Sequence, residues 1–279
     1  MLTYPDIDPA ALRLGDFAVH WYGLMYLIGF AGAWWLGTLR ARRTESGWRA
    51  EEISDLVFYA ALGAILGGRI GYSLFYNFGY FLEDPVRLLY IWQGGMSFHG
   101  GMLGVFIAMW LYGRKTGRGF FQVTDFIAPL VPIGLGAGRV GNFINGELWG
   151  RVSDVPWAMQ LPCARFPEYC AGEIAGYSAP HHPSMLYEAL LEGTVLFLIL
   201  WLFSRKPRPT MAVSGLFMLG YGSFRFAVEF VRIPDTQLGY LALDWVTMGQ
   251  LLSAPMILLG VLFMVLAYSR NNSDAPASK

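Results

Sequence analysis

Seven long apolar segments constrain the fold of this chain more than any other feature of its sequence. Their approximate bounds are 18–39, 53–76, 95–112, 124–144, 184–203, 212–231 and 245–268. About 20 predominantly apolar residues are enough for a helix to cross the hydrocarbon core of a bilayer. The composition agrees, because 55% of the residues are hydrophobic and only 14% are charged, against roughly 25% charged in soluble domains. We therefore predict an all-α integral membrane protein, in which residues 1–279 form a single polytopic domain of seven transmembrane helices.

Basic residues set the predicted orientation of these spans. They follow the first, third, fifth and seventh segments: Arg40, Arg42, Arg43 and Arg49, then Arg114, Lys115 and Arg118, then Arg205, Lys206 and Arg208, and finally Arg270 and Lys279. Because cytoplasmic loops carry an excess of Lys and Arg, this side is predicted to face the cytoplasm. The N-terminus and residues 77–94, 145–183 and 232–244 are then outside, and 145–183 forms a small external cap between spans 4 and 5.

Ionisable and amide side chains end the fourth apolar segment. Arg139, Asn142, Asn145 and Glu147 all fall within the block at 138–150, which reads GRVGNFINGELWG. Burying an isolated charge in hydrocarbon costs several kcal/mol or more, so such residues usually face a polar cavity. The block therefore predicts a binding or reaction site.

Charges in other segments fall at a similar predicted depth. Arg69, Arg139 and Arg225 each lie about fifteen residues into a span that runs outward, which places them in the outer half of the bilayer. His99 lies near the start of a span that begins outside, beside glycine-rich backbone that allows a ligand to approach closely. We predict that these four residues ring a site that opens outward.

Each of these residues, considered alone, also has a purely structural explanation. A long Arg side chain near a helix end reaches the headgroup region, and Arg225 with Glu229 fits an ion pair along one helix. The Gly-Arg-aliphatic-Gly sequences at 68–71 and 138–141 fit close helix packing. None of these explanations accounts for the run of polar residues that follows Arg139.

The residue types at this depth suit a lipid phosphate. Arg presents a planar fork of donors that matches phosphate oxygens in pairs, so a phospholipid headgroup is the predicted ligand. The Arg side chains would neutralise charge on a leaving phosphate, and His99 would take a proton from the attacking nucleophile. The rival interpretations are a transporter or flippase, whose site is expected near the bilayer midplane, and a lipid-binding assembly protein, which would need the Arg residues but not His99.

Other chemistries leave no clear signature. Zero net charge and the lack of a basic cluster interleaved with aromatic residues argue against nucleic acid as a partner. There is no His-Glu-x-x-His, no Gly-x-Ser-x-Gly and no Walker loop, so we predict neither a metal nor a cofactor. Cys163 and Cys170 lie in the external segment, where a disulfide is favoured over a nucleophile and two unpaired thiols are the alternative.

Five motifs spread over nearly the whole chain carry a family resemblance. They are HWYGLMY at 20–26, GGMSFHGG at 94–101, the block at 138–150, HPSMLYE at 182–188 and YGSFRFAVEFVR at 221–232. Together they resemble the motifs of the bacterial prolipoprotein diacylglyceryl transferase family, of which the block at 138–150 is the signature.

The resemblance implies a multi-pass enzyme of the bacterial inner membrane, with a periplasmic N-terminus and cap and a cytoplasmic C-terminus. Its partners would be phosphatidylglycerol, drawn from the membrane lipid, and a preprolipoprotein signal peptide with its lipobox cysteine. The enzyme would move the sn-1,2-diacylglyceryl group to the cysteine thiol, form a thioether and release glycerol 1-phosphate, the first step of lipoprotein maturation.

The resemblance also implies roles for individual residues. His99, Arg139 and Arg225 would be catalytic, with the two Arg side chains holding the lipid phosphate. The substrate-binding set would comprise Tyr26, Arg69, Asn142, Asn145, Glu147, Gly150, Tyr221, Glu229 and Arg232.

The identity of the base is left open by the sequence. A thiol with a pKa of about 8.5 is a poor nucleophile until it is deprotonated, so the site requires a base or a cationic field near the cysteine. His99 is the predicted base. In the alternative, Arg139 and Arg225 lower the thiol pKa, His99 only orients the lipid, and the proton leaves through Glu147 or water.

Overall fold

The computed structural model describes residues 2–5, 7–15, 17–43, 46–76, 78–90, 94–170, 176–234, 239–243 and 245–273. Parts of the three predicted external segments (77, 91–93, 171–175, 235–238 and 244) and the basic residue Lys279 lie outside the described residues. The chain divides into two compact units, one formed by Met1–Gly32 with Ala128–Lys279 and the other by Ala33–Ile127. Each unit has its own packing.

Every one of the seven predicted apolar segments contains a helix. The described α-helices are α1 Trp21–Ala41, α2 Ala50–Phe75, α3 Phe78–Glu83, α4 Phe98–Thr116, α5 Phe120–Ile127, α6 Val131–Asn145, α7 Ser184–Glu188, α8 Leu196–Phe203, α9 Ala212–Val228 and α10 Met248–Ser273. A π-helical stretch, Ala189–Val195, joins α7 to α8, and short 3-10 helices cover Pro85–Leu89 and Pro167–Tyr169.

Several of these helices are long and apolar enough to cross a membrane. Among the described residues, Ala50–Phe75, Ser184–Phe203 and Met248–Arg270 meet the requirement singly, and α5 with α6 makes a fourth if the two count as one span. Ala212–Val228 is apolar but shorter. The prediction of an all-α membrane protein is thus confirmed in its class, while the count of seven spans stays a prediction.

Two small sheets add to this helical architecture. The strands are β1 Leu2–Thr3, β2 Ala10–Leu14, β3 Phe17–His20 and β4 Met159–Gln160. β1 pairs in parallel with β4, with Leu2 opposite Met159, and β2 pairs antiparallel with β3, with Leu12 opposite Val19. The first sheet ties the start of the chain to the segment that follows α6.

In the unit of residues 33–127, α2 and α4 pack backbone against backbone. Gly63, Gly67 and Gly71 recur at four-residue spacing on α2 and meet Gly100 and Gly104 on α4. A Cβ atom built on Gly67 would lie 2.8 Å from the Cα atom of Gly104, and one on Gly71 would lie 2.7 Å from the Cα atom of Gly100. Small residues at such spacing allow helices in a membrane to approach closely.

In the other unit, the N-terminal strand and the segment after α6 share an apolar core. Tyr4, Trp149, Leu161, Phe166 and Met185 are its buried members. The Tyr4 hydroxyl donates to the carbonyl oxygens of residues 143 and 144 at 2.8 and 2.9 Å, which are among the last carbonyls of α6. A disulfide joins Cys163 to Cys170, as the sequence favoured.

Candidate active site

The centre of the site is a buried carboxylate that contacts three Arg side chains. Glu188, the last residue of α7, is 0% exposed. Its Oε2 atom lies 2.9 Å from Nε of Arg139, and its Oε1 atom accepts from Nη1 of Arg232 at 2.9 Å and from Nη1 of Arg225. Three elements thus converge here, since Arg139 belongs to α6, Arg225 to α9 and Arg232 to the segment after α9. We call these four residues the arginine cluster.

Glu229, the residue directly after α9, extends the arginine cluster. Its Oε2 atom lies 3.0 Å from Nη2 of Arg225 and 3.5 Å from Nε of Arg232. The ion pair between Arg225 and Glu229 that the sequence suggested is therefore present. It belongs to a wider network rather than standing as an isolated pair along one helix.

The acidic and basic members of this network differ in exposure. The side chains of Arg139 and Arg225 are 21% and 17% exposed, whereas that of Glu188 is 0% exposed. The carboxylate therefore lies inside, and the two Arg side chains form the accessible edge. An anion that approaches this edge meets Arg donors first, which suits a phosphate.

Glu192, one turn beyond Glu188, is a second buried carboxyl. It is 0% exposed, and Nη2 of Arg139 lies 3.8 Å from its Oε2 atom. Neither of its oxygens has a hydrogen-bond partner in the part of the chain that the structure describes. It lies within the π-helical stretch 189–195, and such stretches occur frequently at functional sites.

The polar residues of the 138–150 block form a compact turn at the end of α6. Asn142 donates from Nδ2 to Oε2 of Glu147 at 3.0 Å, and Asn145 donates from Nδ2 to Oε1 of the same carboxylate at 3.1 Å. Gly146 ends the helix in the left-handed region with φ 76°, and Leu148 follows with φ 65°. A non-glycine residue rarely adopts this conformation, so the surrounding contacts hold the turn in place.

Gly150 is placed where a side chain has no room. Its N–H donates to the carbonyl of His182 at 2.8 Å, and it forms a β-bridge with Arg232. A Cβ atom at this position would lie 2.9 Å from Cβ of His182. Burial lowers the pKa of His182, with His181 as the second cause. The contacts of Gly150 favour a packing role in joining the block to the arginine cluster.

The two predicted Tyr residues lie on separate helices of the same unit. Tyr26 on α1 is 54% exposed, and its hydroxyl lies 3.3 Å from that of Tyr22. Tyr221 on α9 is half-buried and stacks on Phe217, with ring centroids 5.8 Å apart. Neither position conflicts with a role in lining a lipid pocket.

Arg69 and His99 lie in the other unit, the one formed by residues 33–127. Arg69 is buried, and its guanidinium donates to the backbone carbonyls of residues 88, 90, 94 and 95. His99 is exposed in the first turn of α4, edge-on to the ring of Phe98. The proposed ring of three Arg residues and His99 draws on both units and stays a prediction.

Sequence reasoning missed Glu188 and Glu192. Both are acidic residues inside the apolar segment 184–203, and Glu188 is the last residue of the HPSMLYE motif. The rule that drew attention to Arg69, Arg139 and Arg225, a charge within a span, applies equally to these two residues. The charge of Glu188 and Glu192 within an apolar segment was therefore the sequence signal for both residues.

Comparison with known proteins identifies the same family that the sequence motifs resemble. Residues 9–266 match the family model described as prolipoprotein diacylglyceryl transferase. Proteins named phosphatidylglycerol–prolipoprotein diacylglyceryl transferase are similar over essentially their full length. The protein from Pseudomonas paraeruginosa is 59% identical over 278 residues and 100% of both chains. That from Azotobacter vinelandii is 60% identical over 270 residues, 97% of this chain and 98% of its own, and that from Pseudomonas syringae pv. syringae is 55% identical over 278 residues and 100% of both chains.

Proposed function

This chain belongs to the prolipoprotein diacylglyceryl transferase family, and from that premise we propose that it transfers the sn-1,2-diacylglyceryl group of phosphatidylglycerol to a prolipoprotein. The acceptor is the thiol of the lipobox cysteine. The products are a thioether-linked lipoprotein precursor and glycerol 1-phosphate, and the reaction is the first step of lipoprotein maturation. The observation that carries the proposal is the family match over residues 9–266, which includes all of the arginine cluster.

The chemistry is a substitution at the glyceryl carbon that bears the phosphate. The cysteine sulfur forms a bond to this carbon while the bond from the carbon to the phosphate oxygen breaks. The thiol loses its proton, and the leaving phosphate gains negative charge. Cationic donors that are already in place stabilise such charge without reorganisation in the reaction.

We assign the phosphate to the accessible edge formed by Arg139 and Arg225. Their partial exposure and the burial of Glu188 support this assignment. Glu229 contacts Arg225 directly, and Arg232 contacts Glu188 and Glu229, the two carboxylates that hold Arg225 in place. Tyr26 and Tyr221 line the lipid pocket, and the turn of Asn142, Asn145, Glu147 and Gly150 shapes the neighbouring wall.

His99 is the proposed base for the cysteine thiol. A neutral imidazole accepts a proton near neutral pH, and His99 is exposed at the start of α4. The alternative is that the Arg edge lowers the pKa of the thiol while His99 orients the lipid, with Glu147 or water taking the proton.

The proposed setting is the bacterial inner membrane, crossed by seven helices. The N-terminus and the cap at 145–183 are periplasmic, and the C-terminus is cytoplasmic. The three to four candidate spans found among the described residues and the one-sided basic clusters support this arrangement. The cap then covers the point where a signal peptide presents its cysteine.

The test is a reconstituted transfer reaction. The purified protein is incubated with phosphatidylglycerol and a lipobox peptide, and the peptide mass is followed together with glycerol 1-phosphate. We expect both products to form, and to be lost with Arg139→Ala or with a peptide in which Ser replaces Cys. Binding of phosphatidylglycerol without any product would refute the transferase and favour a carrier or a lipid-binding protein.

A further inference from the structure

We propose that Arg69 positions His99 by fixing the backbone turn that precedes His99. Arg69 is then not a ligand of the lipid phosphate. The inference rests on the proposed function, in which His99 meets the reacting cysteine. It concerns only the unit formed by residues 33–127. It reassigns a residue that its charge and depth alone had suggested as a substrate contact.

The donors of Arg69 are engaged by backbone carbonyls. Its side chain belongs to α2 and is 7% exposed. Nε donates to the carbonyl of Leu88 at 3.1 Å, Nη2 to that of Tyr90 at 3.0 Å, and Nη1 to those of Gly95 at 3.1 Å and Gly94. All three nitrogen atoms of the guanidinium therefore have a protein acceptor. A phosphate would have to displace these carbonyls, which would then lose partly buried hydrogen bonds.

Two of the carbonyls that Arg69 holds, those of Gly94 and Gly95, belong to the turn that leads into His99. Gly94 and Gly95 have φ angles of 77° and 78°, a region that glycine adopts without steric cost. A backbone with this freedom needs external contacts to select one conformation, because glycine loses more conformational freedom on ordering than other residues. Arg69 supplies those contacts at both glycines.

The start of α4 is tied to the same point of α2. The N–H of Ser97 donates to the carbonyl of Gly68, the residue before Arg69, at 2.9 Å. The Ser97 hydroxyl in turn accepts from the N–H of Gly100 at 3.2 Å and caps α4. His99 therefore emerges from a turn held on one side by Arg69 and on the other by Gly68 and the Ser97 cap.

The geometry also explains why the residue is Arg. The four carbonyls accept from three different nitrogen atoms, and a guanidinium presents five N–H groups in a rigid fork that reaches several acceptors at once. A Lys side chain concentrates its donors on a single nitrogen atom. Arg69→Lys is therefore expected to behave like Arg69→Gln in the experiment below, although it keeps the charge.

The test is a double-mutant cycle between Arg69 and His99. Transfer rates and phosphatidylglycerol binding are measured for the full-length wild-type protein, Arg69→Gln, His99→Gln and the double variant. We expect Arg69→Gln to lower kcat by roughly 10²-fold, the loss that accompanies misplacement of a reacting group by about 1 Å, with little change in lipid binding. In the His99→Gln background the same change should cost less than about threefold, because coupled residues are not additive.

Each other outcome overturns the inference in a distinguishable way. Equal losses in both backgrounds would make Arg69 independent of His99, and a large loss of lipid binding would return Arg69 to the phosphate. Normal turnover of His99→Gln would remove the residue through which Arg69 is meant to act. If the wild-type protein transfers no lipid, the proposed function itself fails.

A second variant keeps the test usable if Arg69→Gln does not fold. Gly94→Ala places a side chain at a positive φ angle without any steric contact, since no atom lies within 4 Å of a Cβ atom built there. It strains the same turn and leaves Arg69 intact. We expect a loss of kcat that again depends on His99, and an unchanged kcat in Gly94→Ala would contradict the proposal.

Discussion

Arg139 and Arg225 each combine a buried carboxylate partner with a partly exposed side chain. Glu188 holds both from inside the molecule, and both side chains keep partial exposure at the edge. An Arg side chain with one fixed partner loses little conformational freedom when it binds a second. The arginine cluster is therefore suited to bind a phosphate through prepositioned donors rather than by net charge alone.

Arg225→Lys is expected to be harmful although it conserves the charge. The guanidinium of Arg225 contacts Glu188 and Glu229 through different nitrogen atoms, and a Lys ammonium cannot reproduce that fork. We expect a loss of at least about tenfold in kcat/KM for phosphatidylglycerol, corresponding to about 1.4 kcal/mol or more. Steady-state kinetics measure it, and unchanged values would count against direct contact between Arg225 and the phosphate.

His99→Gln separates proton transfer from lipid binding. Gln keeps hydrogen-bonding capacity but cannot accept the thiol proton, so we expect turnover to fall by about 10²- to 10⁴-fold, the usual contribution of a general base. Phosphatidylglycerol binding should change little. Near-normal turnover of this variant would favour the alternative, in which the Arg side chains lower the pKa of the thiol.

Glu188→Gln and Glu192→Gln form a matched pair of variants. Both residues are 0% exposed and lie four residues apart, but only Glu188 accepts hydrogen bonds from Arg side chains. Removing one partner of a buried charge network typically costs about 3–5 kcal/mol, so Glu188→Gln should unfold at a markedly lower temperature. Glu192→Gln should shift the midpoint much less, because no hydrogen bond is lost. Thermal unfolding in detergent measures both, and equal shifts would contradict this distinction.

The elements of the fold were largely predictable, because apolar length and composition act locally along the chain. Each predicted span contains a helix. The break between α5 and α6 was not anticipated, although Pro129 falls in it and Pro132 lies in the first turn of α6. A proline lacks the N–H that continues a helix and disfavours helical backbone in the residue before it, so the sequence did contain this signal.

Other features were beyond sequence reasoning because they depend on contacts between distant residues. The pairing of β1 with β4 joins residues about 157 positions apart, Leu2 with Met159 and Thr3 with Gln160. Glu188 was overlooked for a different reason: its importance depends on three Arg side chains from other elements. The charge pattern identified the Arg residues, but only the packed helices reveal their common acceptor.

The disulfide loop of the cap is expected to stabilise the end of α6. The loop between Cys163 and Cys170 carries Phe166, and a Cβ atom on Gly146 would lie 2.5 Å from Cε1 of that ring. Replacing both cysteines by Ser should cost about 2 kcal/mol, since a short loop loses little entropy on closure. Thermal unfolding with and without reductant measures the effect. Reductant should destabilise the wild-type protein only, and an equal effect on the double variant would contradict the prediction.

At the scale of the whole molecule, charge is balanced in number and segregated in position. The chain has 20 basic and 20 acidic residues, and most of the basic residues outside the spans follow the odd-numbered segments. Some of them also have local structural roles. Arg118 contacts Glu52 at 2.9 Å and lies over the ring of Trp48 at 4.1 Å. Arg118 therefore contributes to the packing at a helix end as well as to the basic charge of the loop.

The orientation that these charges predict is testable with two cysteine positions on either side of one candidate span. Tyr177 is 56% exposed in the cap before Ser184–Phe203, and Lys206 follows that helix. In a background without the native cysteines, a membrane-impermeant maleimide should label Tyr177→Cys in intact spheroplasts, and Lys206→Cys only after the membrane is opened. The basic residues near Lys206 favour retention in the cytoplasm, because positively charged loops close to a span resist translocation. Labelling of Lys206→Cys in intact spheroplasts would reverse the orientation, move the arginine cluster to the cytoplasmic side, and separate it from a cysteine presented in the periplasm.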